Sequence, residues 1–359
     1  MSVERRIRVL VVDDSALARR AICDALATDP GLEVVGTAAD AYIARDRILE
    51  LQPDVVTLDL QMPRMDGLTF LRILQEHHPV PVVVLSAMTP AGSALALEAL
   101  QAGAIEVLAK PDGGTPLTEI ALPLTMGVRA AARARGLGTR LRPQRDAAEA
   151  TPAPLAVAEA ARRVIVIGAS TGGVEALRYL LPQLPAGLPP IVIVQHIPAA
   201  FSRIMAQHLD ELCPFNVREA SEGEVLQPGS CLVAPGNFHA LLQQGTRGYT
   251  LRLAQTPPVH HCRPSVDVLF RSAAEVAGAH AVGVLLTGMG VDGARGLLRM
   301  RQAGARTFAE AEESCVVYGM PAAAAQLGAA EQVLPLAALP KALFRVLAEP
   351  PTLRLRDVR

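Results

Sequence analysis

Ser170 stands where the apolar run Val164–Ile167 stops, in VIVIGASTGG, among Gly168, Gly172 and Gly173. A serine at a strand's exit, beside free N–H groups, can act as a nucleophile. The same strand, turn and helix can instead cradle a phosphate at the helix N-terminus. A dinucleotide site asks for GxGxxG and an acidic residue at the end of the next strand. Here the next run, Ile191–Gln195 (IVIVQ), ends on His196, which favours a nucleophile with a base. A third run, AVGVLL from Ala281, passes into TGMGVDG, which carries Asp292. A serine hydroxyl is a poor nucleophile near neutral pH unless an imidazole takes its proton, and the imidazole needs a carboxylate to fix its tautomer. Ser170, His196 and Asp292 supply these parts. Their chain order differs from the Ser, Asp, His order of α/β-hydrolases, so the GxSxG match does not bring that fold with it. The competing role for Asp292 is to cap a helix starting near Ala294.

A second polar set lies in the first third of the chain. Asp13 and Asp14 follow IRVLVV, Asp59 follows the run from Asp54 to Leu58, Ser86 follows Val82–Leu85, and Lys110 follows Ile105–Ala109. Three carboxylates crowded at one edge repel one another unless a hard cation such as Mg²⁺ sits between them. Lys110 adds a movable positive charge suited to a phosphoryl oxygen.

Both sets need elements that carry their members to a common edge. Five βα repeats in the first 125 residues imply one doubly wound parallel sheet, whose strands present their carboxyl ends together, where such folds bind ligands. Ser170, His196 and Asp292 likewise follow strands that belong in one parallel sheet, so the fold class is α/β throughout. Between them, Pro214 to Thr256 reads as loop-rich, and His260, His261 and Cys262 as a solvated loop. From Arg135 to Pro154 the chain collects Arg, Ala, Pro and Gly and cannot bury a core. Arg129, Arg133, Arg135, Arg140, Arg142 and Arg145 form a basic run of a solvated tether.

The 359 residues suffice for two domains, and the apolar half of the composition contains only 3% aromatics, as parallel sheets of Val, Leu, Ile and Ala require. A net charge of −1 gives no pull toward nucleic acid. No apolar stretch approaches the ~18 residues of a membrane span, and Asp13 comes too soon for a secretory leader, so a cytoplasmic protein is expected. The five cysteines, without a CxxC pair, read as reduced thiols.

Two resemblances follow. VDDS at Val12–Ser15, LDLQMPRMDG at Leu58–Gly67, LSA at Leu85–Ala87 and AKP at Ala109–Pro111 resemble the receiver domain of two-component response regulators, of flavodoxin-like fold. The resemblance implies that Asp59 accepts a phosphoryl group, that Asp13, Asp14 and Asp59 hold Mg²⁺, and that Ser86 and Lys110 contact the phosphoryl oxygens. It also implies a cis Lys110–Pro111 bond. Val107 stands where receivers usually carry an aromatic switch residue. Downstream, GASTGG, VQHIPAAFS, LVAPGNFH, RPSVDVLF, LLTGMGVDGA and YGMPAAA resemble the chemotaxis response-regulator protein-glutamate methylesterases, the CheB family, with a Rossmann-like catalytic domain.

That resemblance implies hydrolysis of glutamate methyl esters, and deamidation of glutamines, on methyl-accepting chemoreceptors. Ser170 would be the nucleophile, His196 the base and acid, and Asp292 its orienting partner, with Thr171 and the Met289 N–H supporting the nucleophile and the oxyanion. No cofactor is implied for the esterase. A chemotaxis-type histidine kinase would be the phosphodonor, and phosphorylation of Asp59 would relieve occlusion of the active site. The domains implied are a receiver over 1–125, a linker over 126–162 and a catalytic domain over 163–350, in a monomer without nucleic-acid binding or membrane insertion. Glu310, in FAEAEES, stands where the resemblance leads one to expect glutamine.

Overall fold

An uninterrupted run of Val, Ile and Leu has no polar side to offer water, so strands of this composition must be covered on both faces. The computed structural model describes residues 5–86, 89–110, 117–134, 160, 162–246 and 248–350. The chain divides into two compact units, Met1–Thr139 and Arg140–Arg359, and each is an α/β sandwich of this kind.

In the first unit β1 (Ile7–Val12), β2 (Leu32–Ala38), β3 (Val55–Asp59), β4 (Val82–Ser86) and β5 (Glu106–Ala109) form one parallel sheet, in the order β2-β1-β3-β4-β5. The helices are α1 (Ala16–Leu26), α2 (Ala41–Leu51), α3 (Gly67–His77), α4 (Pro90–Gln101) and α5 (Leu117–Arg133). Val9, Val11, Ile22, Leu26, Leu85 and Val128 are among the core residues of this unit. The strand order reverses between β1 and β3, and register pairs Val12 with Leu58, so Asp13 and Asp59 leave the sheet side by side. Gly67 starts α3 against the backbone of Asp59: a Cβ there would lie 2.1 Å from the Asp59 carbonyl oxygen. No other residue fits.

Helix α5 runs unbroken to Arg133, just short of Arg135 where the linker composition begins, because its buried Leu124, Val128 and Ala131 belong to the core of the first unit. Arg129, expected in a basic tether, donates to both Asp29 carboxylate oxygens at 2.6 Å. Arg135, Arg140, Arg142 and Arg145 lie outside the described residues, as do Ala87 and Pro111, and with Pro111 the expected cis bond.

The second unit has a seven-stranded parallel sheet. It contains β6 (Val164–Ala169), β7 (Ile191–Gln195), β8 (Asn216–Glu219), β10 (Ser230–Val233), β13 (Ala281–Leu285), β14 (Arg306–Glu310) and β15 (Gln332–Leu334). Their order is β15-β14-β13-β6-β7-β10-β8, reversing between β6 and β13. Its helices are α6 (Gly173–Leu180), α7 (Ala199–Leu212), α8 (Val266–Val276), α9 (Ala294–Gln302), α10 (Met320–Gln326) and α11 (Leu339–Ala348). Buried Arg163 ties the start of β6 to the end of α11, donating to the carbonyls of Val346 at 3.1 Å and Leu347 at 2.9 Å, where a cation suits the helix C-terminus. The stretch read as loop-rich instead forms β8 and β10 of the main sheet, together with an antiparallel sheet of β9 (Glu224–Val225), β11 (His239–Gly245) and β12 (Gly248–Ala254). Short, half-polar strands of this kind carry no continuous apolar run to betray them.

Strand β14 ends on Glu310, which is fully buried. One carboxylate oxygen accepts from Thr287 N at 2.8 Å and the other from Ser314 Oγ at 2.9 Å. Burial pushes its pKa up from 4.5 to about 7, although the Thr287 and Ser314 donors favour the charged form. The folded protein thus holds this proton more tightly than the unfolded chain, so stability present at low pH is lost as pH rises through the folded value. Thermal melts between about pH 5 and pH 8 should show the wild type losing up to on the order of 3 kcal/mol relative to Glu310→Gln, which carries no such titration. Parallel melting curves for the two proteins would refute this.

Candidate active site and phosphoacceptor site

The reversal between β6 and β13 opens a crevice at the carboxyl edge of the large sheet, the place where doubly wound folds bind ligands. Backbone bonds fix its floor: Ser170 N donates to Thr287 O at 3.0 Å, and His196 N to Ala169 O at 3.1 Å. Gly288 allows the close approach, since a Cβ there would lie 2.6 Å from Ser170 Cβ and 2.5 Å from Met320 Sδ. Ser170 is half-buried, and its hydroxyl makes no hydrogen bond among the described residues. Its carbonyl accepts from Gln195 Nε2 at 2.8 Å, which pins the turn before α6.

His196 Nε2 lies 2.8 Å from Asp292 Oδ2. Asp292, 2% exposed, also accepts from Ser265 Oγ at 2.8 Å, Val266 N at 2.8 Å, Asp267 N at 3.0 Å and Gly293 N at 3.0 Å. It therefore caps the N-terminus of α8, not that of α9, the helix suggested by sequence position. Although burial works to raise the Asp292 pKa, the His196 ring and these donors outweigh it and hold the carboxyl below its ordinary value. With Nε2 paired to a carboxylate, Nδ1 is the ring nitrogen left to act as base.

Nδ1 faces Cys262, whose Sγ lies 3.5 Å away and 3.4 Å from His260 O. Burial lowers the His196 pKa, but Cys262 and Asp292 together raise it above the ordinary imidazole value. The loop of His260, His261 and Cys262, read as solvated, thus brings its cysteine to the candidate base. Ser170 and His196 occupy adjacent strand ends, but no hydrogen bond joins them.

Met289 follows Gly288 in the same turn, and its N–H makes no hydrogen bond among the described residues. Thr171 is buried, and its carbonyl accepts from Thr287 Oγ1 at 3.0 Å. Sequence reasoning missed Cys262, Ser265, Asp267 and His239. Buried His239 accepts from Ser265 N through Nδ1 at 3.1 Å, and its Nε2 lies 3.1 Å from Pro257 O, so it braces the residue that braces Asp292. The RPSVD motif was the available signal, but nothing local showed what its serine would hold.

In the first unit Asp13, Asp14 and Asp59 bring carboxylate oxygens within 4.8 Å of one another. Lys110 Nζ donates to Asp59 Oδ2 at 2.6 Å and lies 2.9 Å from Asp13 Oδ2 and 4.0 Å from Asp14 Oδ1. Burial raises the Asp59 pKa, against the pull of Lys110. Burial lowers that of Lys110, yet Asp59 and Asp13 raise it on balance. Three carboxylates that bring oxygens this close make an all-oxygen donor set that fits a hard divalent cation. Ser86, buried at the end of β4, accepts Lys110 N on its carbonyl at 2.8 Å. Val107 is buried in β5 opposite Val84.

Residues 9–121 match the response regulator receiver domain and residues 165–343 the CheB methylesterase domain. A protein-glutamate methylesterase/protein-glutamine glutaminase of Anaeromyxobacter dehalogenans is 51% identical over 352 residues, spanning 95% of this chain and 97% of that one. A relative of the same name from Dechloromonas aromatica is 51% identical over 332 residues, spanning 91% and 94%. The crystal structure of the Thermotoga maritima CheB methylesterase catalytic domain is 38% identical, covers 51% of this chain and 98% of that one, and superposes with a TM-score of 0.50. With full-length relatives at this identity, and both halves matched in order, the chain belongs to the CheB family of protein-glutamate methylesterases/protein-glutamine glutaminases.

Proposed function

We propose that this enzyme hydrolyses glutamate methyl esters, and deamidates glutamines, on methyl-accepting chemoreceptors in the cytoplasm through Ser170, His196 and Asp292. The observation that carries the reading is the 2.8 Å pair of His196 Nε2 and Asp292 Oδ2 beside an unbonded serine hydroxyl on the neighbouring strand end. Among the described residues no helix is long and apolar enough to cross a membrane.

In this reading Ser170 Oγ attacks the ester carbonyl while His196 Nδ1 takes its proton, the ring turning from Cys262 to the serine. Asp292 keeps the other ring proton on Nε2 and stabilises the imidazolium. The Met289 N–H donates to the oxyanion, and Thr171 supports the turn that presents the serine. The imidazolium then protonates the departing methoxide, and water, activated by the same nitrogen, releases the free glutamate. In the first unit Asp59 accepts a phosphoryl group from a histidine kinase. Asp13, Asp14 and Asp59 would hold Mg²⁺, which neutralises the charge gathering on the phosphoryl oxygens, while Ser86 and Lys110 contact those oxygens. Phosphorylation lifts a restraint on the esterase, and a tenfold to hundredfold activation requires only about 1.4 to 2.8 kcal/mol.

Methanol release from methylated receptor is the measurement. Ser170→Ala should lower it roughly 10⁴- to 10⁶-fold with melting unchanged, and near-normal turnover in that variant would dispose of the serine's role. Asp292→Asn should cost roughly 10⁴-fold by supplying the wrong hydrogen-bonding partner to Nε2. A small phosphodonor with Mg²⁺ should raise the wild-type rate, and Asp59→Asn should show no such response; activation that survives in this variant would place the phosphoryl group elsewhere.

A further inference from the structure

The pairing of Cys262 with His196 has no part in the proposed ester hydrolysis, yet the backbone on both sides of it is fixed. His196 is fixed at the end of β7, and Cys262 lies in a tight turn closed by reciprocal backbone bonds with Val259, of 3.1 and 2.9 Å. Within that turn His260 and His261 adopt φ of 51° and 62°. The two potential donor atoms, Sγ and Nδ1, are 3.5 Å apart. A thiolate and an imidazole bound to one tetrahedral Zn²⁺, at about 2.3 Å and about 2.0–2.1 Å, would stand about 3.6 Å apart. The bite is already set.

The surroundings also suit a metal. Asp292 accepts the Nε2 proton, the carboxylate–imidazole arrangement that orients a metal-ligating histidine and leaves its other nitrogen free to bind. Asp292 itself is saturated by its four other donors and would remain behind the ring. Cys262 and His196 are both partly exposed, so a cation can enter and waters can complete its coordination.

We infer that Cys262 Sγ and His196 Nδ1 form a capture site for a soft divalent cation of the Zn²⁺ class, whose binding turns the esterase off. Binding displaces the thiol proton to solvent and makes S–metal and N–metal bonds; no electron is transferred. The lone pair on Nδ1 is then committed to the metal and cannot accept the proton of Ser170, so the inhibition rests on the reading of His196 as base. With only two protein ligands the capture is reversible. Thiolate and imidazole discriminate against hard Mg²⁺, for which the all-oxygen cluster of Asp13, Asp14 and Asp59 is the matching site. One cation serves each unit, and the two do not compete.

The test uses the full-length protein kept reduced with a non-thiol reductant. Cd²⁺ alone is titrated and the thiolate-to-metal charge-transfer absorbance followed; separately, Zn²⁺ is titrated into the methanol-release assay. The wild type should gain one saturable absorbance component that is missing in Cys262→Ser and Cys262→Ala. Its affinity should fall about tenfold to hundredfold in Asp292→Asn. Zn²⁺ should inhibit the wild type and a chelator restore it, with half-inhibition moved upward at least about tenfold in the Cys262 variants, each compared with its own metal-free rate. Identical Cd²⁺ titrations of the wild type and both Cys262 variants would overturn the site. Capture without inhibition would overturn the switch. The absorbance readout needs no turnover, so a failure of the esterase assignment would show as an inactive protein that still binds the metal through Cys262.

Discussion

A carboxylate with almost no access to water is the constraint around which the catalytic unit is arranged. Burying a charge is costly unless hydrogen bonds replace its hydration, and removing a single partner leaves much of that cost exposed. Asp292 meets the requirement with five donors: a serine hydroxyl, three backbone N–H groups and the imidazole of His196. Two of the N–H groups open α8, so the helix dipole adds its positive end to the same charge. Each donor comes from a segment that has to be placed accurately, and together they fix β7, the RPSVD turn and the turn after β13 around one point. Orientation of the imidazole follows from this arrangement; no separate device is needed.

The same topological rule is used twice in one chain. In each unit the strand order reverses beside the first strand, and the polar residues gather where the reversal leaves the sheet edge open. What differs is the chemistry placed there. At the first edge three carboxylates and a lysine are left mutually unbalanced, an arrangement that suits a cation and a phosphoryl group. At the second, the buried charge of Asp292 is fully hydrogen-bonded, and the remaining imidazole nitrogen of His196 meets only the thiol of Cys262. Glycine makes both edges possible by closeness rather than flexibility: Gly67 lets α3 lie on the Asp59 backbone, and Gly288 lets the turn after β13 touch Ser170.

Much of this was legible in the sequence, for a physical reason. Strands buried on both faces announce themselves as unbroken apolar runs, and the polar residues that close each run fall at the sheet edge where ligands bind, which is how Ser170, His196, Asp59 and Lys110 stood out. Partnerships across the fold were not legible. Asp292 caps a helix that begins earlier in the chain, a relation that no local pattern encodes. Cys262 and His239 sit in stretches with little apolar periodicity, and so does the antiparallel sheet of β9, β11 and β12.

Asp292 also bears on how such a protein could decay. Because its carboxylate holds α8 to the turn after β13, its loss would be felt by the fold even in a protein whose turnover no longer mattered. Ser170, whose hydroxyl bonds to nothing among the described residues, has no comparable duty. If Ser170 is the nucleophile, as proposed, an idle descendant would shed the serine first and keep the aspartate, and in a distant copy the alcohol, not the acid, would distinguish a living hydrolase from a relic.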